Sequence, residues 1–286
     1  VTLYYPDVSS FQGGIRLSGA HAVCAKVTQG TGYVSQQYAP QRAQAAALGA
    51  TFFAYHFLQQ SQAAAQAAWC HEHAGATPLM VDFEPYPQIR SYPVLADAVA
   101  FIDAYRKLSG VTHLVYLPKW YWQQLGSPGL GALASRGCAL VSSDYAAYTD
   151  ANSGVGWQPY GGMTPQIWQY TDTMAFGGLS DVDFNAFRGS YAGKEDPVSV
   201  QATVRQLQSL ITTGSISSAP AMVTVPVTFG EVASVAMTRI QAAGLTVSTN
   251  PARDSAHTYV SAGSSPIGGS SVPKGSHVIL NVRVTG

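Results

Sequence analysis

The chain has 286 residues, of which 47% are apolar and only 10% charged, with fifteen Lys and Arg balancing fifteen Asp and Glu. That length exceeds most single domains and predicts one large domain plus a small one, while the balanced charge leaves no electrostatic footprint for nucleic acid or an acidic membrane surface. No apolar run reaches the length of a membrane span, and a surface rich in Ser, Thr, Gln, Tyr and Gly suits a neutral, hydroxyl-rich partner such as a glycan.

Residues 1 to about 188 alternate short apolar runs with helical stretches. Thr2 to Tyr5 leads into Asp7-Val8-Ser9-Ser10-Phe11-Gln12, and Ala22 to Val27 leads into the loop Thr28-Gln29-Gly30-Thr31-Gly32-Tyr33. An Ala/Gln-rich helix is expected from about Ser35 to Leu48. Thr51 to Tyr55 is a third strand, ending at His56, with a helix near Gln62 to His73. A buried strand from Pro78 to Glu84 follows. The next helix has Ser91 as its expected N-cap, Pro93 in its first turn, Val94, Leu95, Ala98, Phe101, Ile102 and Tyr105 at helical spacing, and Gly110 as its stop. Thr112 to Tyr116, Cys138 to Ser142, Pro165 to Tyr170 and Leu179 to Phe184 are the later strands.

The central strand ends in two carboxylates. Successive strand residues alternate faces, so Asp82 and Glu84 share one, with Cα atoms roughly 6.6 to 6.8 Å apart, and Pro85 ends the ladder. Two like charges that close cannot both ionise freely, so one should keep its proton well above its ordinary pKa, as general-acid chemistry at neutral pH requires. The duller reading of the same residues is a solvated strand end.

Alternating strands and helices argue for a parallel sheet, and about eight strands in so short a span predict a barrel with several helices trimmed. Barrel chemistry sits at C-terminal strand ends. That rule predicts one shared site for Asp7, Tyr55, Asp82, Glu84, Tyr116, Trp168 and Asp183. Tyr55, Tyr116, Tyr145 and Trp168 are candidates to line a cleft, since sugar rings offer C–H faces to aromatic planes, although aromatics favour strands in any case. Asp7 alone could be a turn residue, Asp183 a cap, and His56 a hydrogen-bonded core residue. Cys70-His71-Glu72-His73 invites a metal reading, but the two His point to different sides of a helix and no third ligand motif accompanies them. No cofactor or metal is expected. Cys24, Cys70 and Cys138 are too few for a disulfide framework.

From about Gly189 to Met222 the composition shifts to Gly, Ser, Thr, Gln and Ala, beginning near Gly193-Lys194-Glu195-Asp196-Pro197. Residues 189–222 read as a linker, either free or partly packed, with one helix from about Val200 to Ile211. Val223 to Gly286 resumes alternation, with a helix near Val232 to Ala243.

Six stretches acquire meaning together. Asp7-Val8-Ser9-Ser10-Phe11-Gln12, Ala25-Lys26-Val27-Thr28-Gln29-Gly30-Thr31-Gly32-Tyr33, Ala54-Tyr55-His56-Phe57, Val81-Asp82-Phe83-Glu84, Trp168-Gln169-Tyr170 and Asp181-Val182-Asp183-Phe184-Asn185 occur in the order and spacing of glycoside hydrolase family 25. Residues 1–188 resemble that family's muramidases, or lysozymes. The resemblance implies an α/β fold, a trimmed (β/α) TIM-like barrel that hydrolyses the β-1,4 bond from N-acetylmuramic acid to N-acetylglucosamine in peptidoglycan, with no cofactor. Glu84 matches the family's proton donor, Asp82 its acidic neighbour, and Asp7 and Asp183 the two further carboxylates. Gln29 stands where a Glu is commoner, and Val141 where a Trp is usual, which bears on remote subsites. A retaining, an inverting and a substrate-assisted route all remain compatible with the acid spacing.

Residues 223–286 resemble a PASTA domain. The carriers are Val225-Pro226, Ala236 with Ile240, Ala242-Ala243-Gly244-Leu245-Thr246-Val247, Tyr259-Val260-Ser261 leading to Ser265-Pro266, and Val272-Pro273-Lys274-Gly275-Ser276. That resemblance implies a small α+β domain, a helix packed on a small sheet, binding muropeptide or wall glycan, with a passive spacer as its rival. The whole reads as a modular, bacteriolytic wall enzyme acting at the bacterial cell wall. No basic-then-apolar secretion pattern opens the chain, which fits a phage-type endolysin released by lysis, and a secreted autolysin whose leader was removed fits as well. A non-catalytic wall-binding protein, a glucosaminidase and an amidase are the alternatives.

Overall fold

The computed structural model describes residues 2–145, 154–189, 197–216, 222–254 and 256–285, in two compact units divided between residues 218 and 219. The first unit runs β1 (Thr2–Val8), β2 (Ala22–Gln29), β3 (Tyr33–Val34), α1 (Tyr38–Ala47), β4 (Thr51–Phe57), α2 (Ala63–Ala74), β5 (Leu79–Asp82), α3 (Leu95–Lys107), β6 (Thr112–Tyr116), α4 (Lys119–Gln124), α5 (Gly131–Ala134), β7 (Ala139–Ser143), β8 (Ile167–Phe176), β9 (Leu179–Arg188) and α6 (Pro197–Thr213).

Eight of these strands close a barrel in the order β1-β2-β4-β5-β6-β7-β8-β9, with β9 paired back to β1 and β3 attached at the side of β2. Pairing is parallel from β1 to β8. The last strand runs antiparallel to both its neighbours. Gly177 and Gly178, with φ of 63° and 93°, form a two-residue turn between Phe176 and Leu179, the geometry that joins antiparallel strands directly. No crossover helix fits there, so the barrel is trimmed at this junction.

Period-two alternation sorts the strand residues into two cores. Leu3, Tyr5, Ala22, Cys24, Phe53, Met80, Leu114, Ala139, Val141, Ile167 and Phe187 fill the barrel interior. Val23, Ala25, Val27, Val81, Val115, Leu140 and Trp168 point outward and share a cluster with Ala45, Ala67, Cys70, Phe101 and Ile102 of the surrounding helices. Cys24, Cys70 and Cys138 are all buried and unpaired.

Two local expectations need correction. Ser91 does not cap α3. Its hydroxyl accepts the Gln60 N–H at 2.8 Å, while the Asp97 carboxylate accepts the Val94 N–H at 2.8 Å and closes the helix start. The reason is Pro93, which holds the residues before the helix in extended backbone and delays the first turn.

The 189–222 segment is likewise more than a linker. Its helix α6 buries Val204, Leu207, Leu210 and Ile211 in the barrel's interior cluster. Gly214, φ 75°, ends the helix with its N–H on the Leu210 carbonyl. It lies so close to the Gly137 carbonyl and the His113 ring that a side chain there would collide with both. Those neighbours stand at the N-terminal ends of β7 and β6, so α6 packs on the end of the barrel opposite the mouth where β5 and β6 finish. Residues 190–196 and 217–221 of the expected linker lie outside the described residues.

The second unit holds β10 (Met222–Thr224), α7 (Ala233–Ala242), β11 (Thr246–Asn250), β12 (Thr258–Ser265), β13 (Ser271–Pro273) and β14 (His277–Thr285). Strand β14 is central, parallel to β11 and antiparallel to β12, while β10 and β13 pair separately. Helix α7 buries Ala233, Ala236 and Ile240 against Leu245, Tyr259, Val278 and Leu280, an α+β arrangement.

Candidate active site

The inward face that carries apolar side chains at one end of the barrel carries polar ones at the other. β1 supplies Asp7, β2 Lys26, β4 Tyr55 and Phe57, β5 Asp82, β6 Tyr116, β8 Gln169 and β9 Asp183, and with Glu84 and Tyr145 from the loops after β5 and β7 they line one cavity of about 380 Å³. Glu84 reaches it because alternation continues past the end of β5. The Phe83 N–H donates to the Tyr116 carbonyl at 2.8 Å, and the Phe83 ring is buried edge-on against Tyr121 at 5.8 Å, so Glu84 turns to the same side as Asp82.

Asp183 arrives by a different route from the one the sequence suggests. It lies in the first half of its strand, not at a C-terminal end. Because β9 is reversed, Asp183 stands directly opposite Asp7 in the ladder and so reaches the same mouth.

Trp168 does not join them. Parity along β8 turns Gln169 into the cavity and Trp168 away from it, where the indole is fully buried, donates to the Asp144 carbonyl at 3.0 Å and packs on Trp157 at 5.9 Å. Gly156 lies so close to the indole that a Cβ there would overlap it. Gln169 takes the place in the cavity, its Oε1 accepting the Tyr116 hydroxyl at 2.9 Å and the Tyr145 hydroxyl as well.

Lys26 is another cavity residue that had no expectation attached to it. A lysine at the same parity as the buried Ala22 and Cys24, inside an apolar strand, was the available signal. Its ammonium donates to Gln29 Oε1 at 2.7 Å and lies 4.6 Å from the Phe57 ring centre and 5.4 Å from that of Tyr33. Among the residues lining the cavity it is the only cation.

Burial governs the charge state of this cluster. Loss of water pushes the Glu84 carboxyl up to about 7, with Asp183 adding to the rise and Lys26 opposing it. Asp183 is also pushed to about 7, by burial and then by Asp172. Burial raises Asp82 well above the carboxylate range, helped by Glu84 and resisted by Lys26. Asp7 rises for the same reason, with Asp183 second. Burial lowers Lys26, while Asp82, Glu84 and Asp7 hold it up. The result is a set of acids that cannot all be ionised together, some keeping protons at neutral pH. Asp82 Oδ1 is buried and has no hydrogen-bond partner among the described residues.

Behind this wall, His56 is fully buried, bonded to Thr28 at 2.8 Å and Gln66 at 3.2 Å and stacked on Phe101; burial lowers its pKa to about 3. It is neutral, and it serves packing.

The acid cluster carries a pH signature. A carboxyl raised in the folded state leaves stability intact below its unfolded pKa and removes it as pH climbs through the folded value. His56 acts in the opposite direction, removing stability as pH falls below its unfolded pKa, so the total curve mixes the two. The comparison of wild type with Glu84→Gln isolates the first. Urea melts of the two should coincide near pH 4, with the variant gaining on wild type by up to a few kcal/mol by pH 8. A gap independent of pH would show that Glu84 titrates normally.

The family model for glycosyl hydrolases family 25 matches residues 6–179, more than half the chain. The chain belongs to this family. It is therefore a glycoside hydrolase, and the match takes in Asp7, Asp82 and Glu84 but stops four residues before Asp183, whose place in the cavity rests on the β9 ladder. Solved structures of similar fold include the muramidase from Acremonium alcalophilum, 26% identical over 71% of this chain and 98% of that one, with a TM-score of 0.56. The muramidase from Trichobolus zukalii is 26% identical over 66% and 94%, with a TM-score of 0.54. A bacterial lysozyme from Streptomyces coelicolor, at 24% identity over 66% and 93% and a TM-score of 0.55, shares the fold of this family 25 barrel. No curated protein matches the chain.

Proposed function

We propose that the protein is a peptidoglycan muramidase, hydrolysing the β-1,4 bond from N-acetylmuramic acid to N-acetylglucosamine. The observation that carries this reading is the meeting of four carboxyls, Asp7, Asp82, Glu84 and Asp183, in one cavity of a family 25 barrel. Similarity at 26% identity to two proteins described as muramidases supports the choice of substrate.

Glycosidic cleavage needs a protonated carboxyl against the leaving oxygen and negative charge beside the developing oxocarbenium ion. Glu84, raised to about 7, keeps a protonated fraction at neutral pH that an ordinary carboxyl lacks and is the general acid. Asp82, which lines the same cavity, stabilises the positive charge or orients the substrate's 2-acetamido group. Asp183 and Asp7 share the remaining charge, and Lys26 keeps enough of the cluster ionised to perform that task. Tyr55, Tyr116 and Tyr145 line the walls against the sugar.

The second unit, PASTA-like in sequence, holds the enzyme to the wall and raises its local substrate concentration. Delivery to the wall is by secretion or by phage-mediated release.

Digestion of purified peptidoglycan, with identification of the new sugar ends, tests the reading. New reducing-end muramic acid is expected, and its anomeric form distinguishes retention from inversion. New reducing-end glucosamine, or free amines without new reducing ends, would overturn it.

A further inference from the structure

A strand that alternates faces would send Lys26 and Gln29, three positions apart on β2, to opposite sides. Both nevertheless face the barrel mouth. Lys26 lines the carboxyl cavity, and Gln29 lines the cavity beside it, which shares Lys26 as a wall. The cause is a bulge. Lys26 pairs with Tyr55 of β4 and Thr28 with the very next residue, His56, so two steps of β2 stand against one of β4. Val27 and Thr28 consequently both turn outward, Val27 into the cluster under the helices and Thr28 onto His56 at 2.8 Å, and Gln29 comes back to the side of Lys26.

The ladders fix Gln29 there, opposite Tyr33 on β3 and Phe57 on β4. Its Oε1 accepts the Lys26 ammonium at 2.7 Å. Among the described residues the ammonium makes no ion pair, and its other sides meet the rings of Phe57, Tyr33 and Tyr55, with centres at 4.6, 5.4 and 5.9 Å. A buried cation is thus anchored by a neutral amide.

That neutrality matters to the groups around it. Asp7 faces the ammonium from β1, Asp82 and Glu84 from β5 and the loop after it, and Asp183 from β9 across the cavity. Burial lifts the Cys24 thiol and the phenols of Tyr55, Tyr116 and Tyr145 above their ordinary values, and His56 behind the wall is neutral. The carboxyls are therefore the groups on which the ammonium acts near neutral pH, and it opposes the rise of Asp7, Asp82 and Glu84 alike. A carboxylate at position 29 would pair with the ammonium and offset its field, whereas an amide oxygen holds it and leaves the charge entire.

We propose that Gln29 is a positioning residue for the hydrolytic reaction, a neutral tether that fixes the Lys26 ammonium beside the carboxyls without cancelling its charge and so sets the pH range in which they work. The proposal rests on the reading of Glu84 as the general acid of a muramidase.

The test compares pH profiles of kcat/KM for the full chain on peptidoglycan. Gln29→Glu keeps the length of the tether and sets a negative charge against the ammonium. The carboxyls then retain their protons to higher pH, and both limbs of the profile should move up by about half to one pH unit. Gln29→Leu keeps the bulk but releases the ammonium, so kcat at the wild-type optimum should fall about three- to tenfold with KM nearly unchanged. In a Lys26→Met background Gln29→Leu should cost nothing further, because a tether with no ammonium to hold has no task. Limbs that stay in place in Gln29→Glu overturn the proposal, whatever that variant does to stability. An equal loss from Gln29→Leu with and without Lys26 overturns it too, since that is the mark of a merely structural role. NMR titration of isotope-labelled carboxyl carbons reads the displacement at Glu84 without substrate. Because that measurement is blind to the bond cleaved, an unmoved Glu84 signal in Gln29→Glu sinks the tether, while a moved signal beside unexpected sugar ends upholds it and overturns only the muramidase reading.

Discussion

Glu84→Gln is expected to lower kcat on peptidoglycan by about 10²- to 10⁴-fold, the range over which a positioned proton donor contributes. Glutamine keeps the shape and removes only the transferable proton, so folding should persist. Stability at neutral pH should hold or rise, because a buried acid that resists ionisation is replaced by a neutral amide. Reducing-sugar release, read beside a thermal melt, checks both. A well-folded variant retaining activity within tenfold of wild type would remove Glu84 from the donor role and turn attention to Asp183, which is held at about the same value.

Trp168→Ala should cost about 3–5 kcal/mol of stability, the range for deleting a large buried aromatic, measured as a shift in the urea midpoint at constant slope. Its indole is among the largest fully buried side chains, packed on Trp157 and Tyr170 outside the barrel wall. The effect should therefore appear as lost stability, with KM on peptidoglycan unchanged in whatever folded protein remains at low temperature. The opposite pattern, a raised KM with a native midpoint, would restore Trp168 to the cleft. Gly156→Ala should mimic the loss on a smaller scale, since the added methyl overlaps the same ring.

Local chemistry was legible in the sequence wherever a single strand or helix determines it. The apolar runs announced the eight barrel strands, and alternation along Val81-Asp82-Phe83-Glu84 put Asp82 and Glu84 on one side before any fold was known. Even α6 left its mark, since Val204, Leu207, Leu210 and Ile211 recur at helical spacing within an otherwise polar stretch. Composition alone hid its packing role.

What the strands enclose was a different matter. Whether Trp168 or Gln169 faces inward depends on the register at which β8 meets β7 and β9, and a shift of one residue exchanges the two. Asp183 shares a cavity with Asp7 only because a two-glycine turn reverses β9, which places the two opposite each other although they lie 176 positions apart in the chain. Lys26 looked like one charge in an apolar run until closure turned it toward the carboxyls. Thus residue type and spacing determined which groups can do chemistry. Only the closed barrel decided which of them meet, because facing is a property of neighbouring strands and a strand's own residues carry just its alternation.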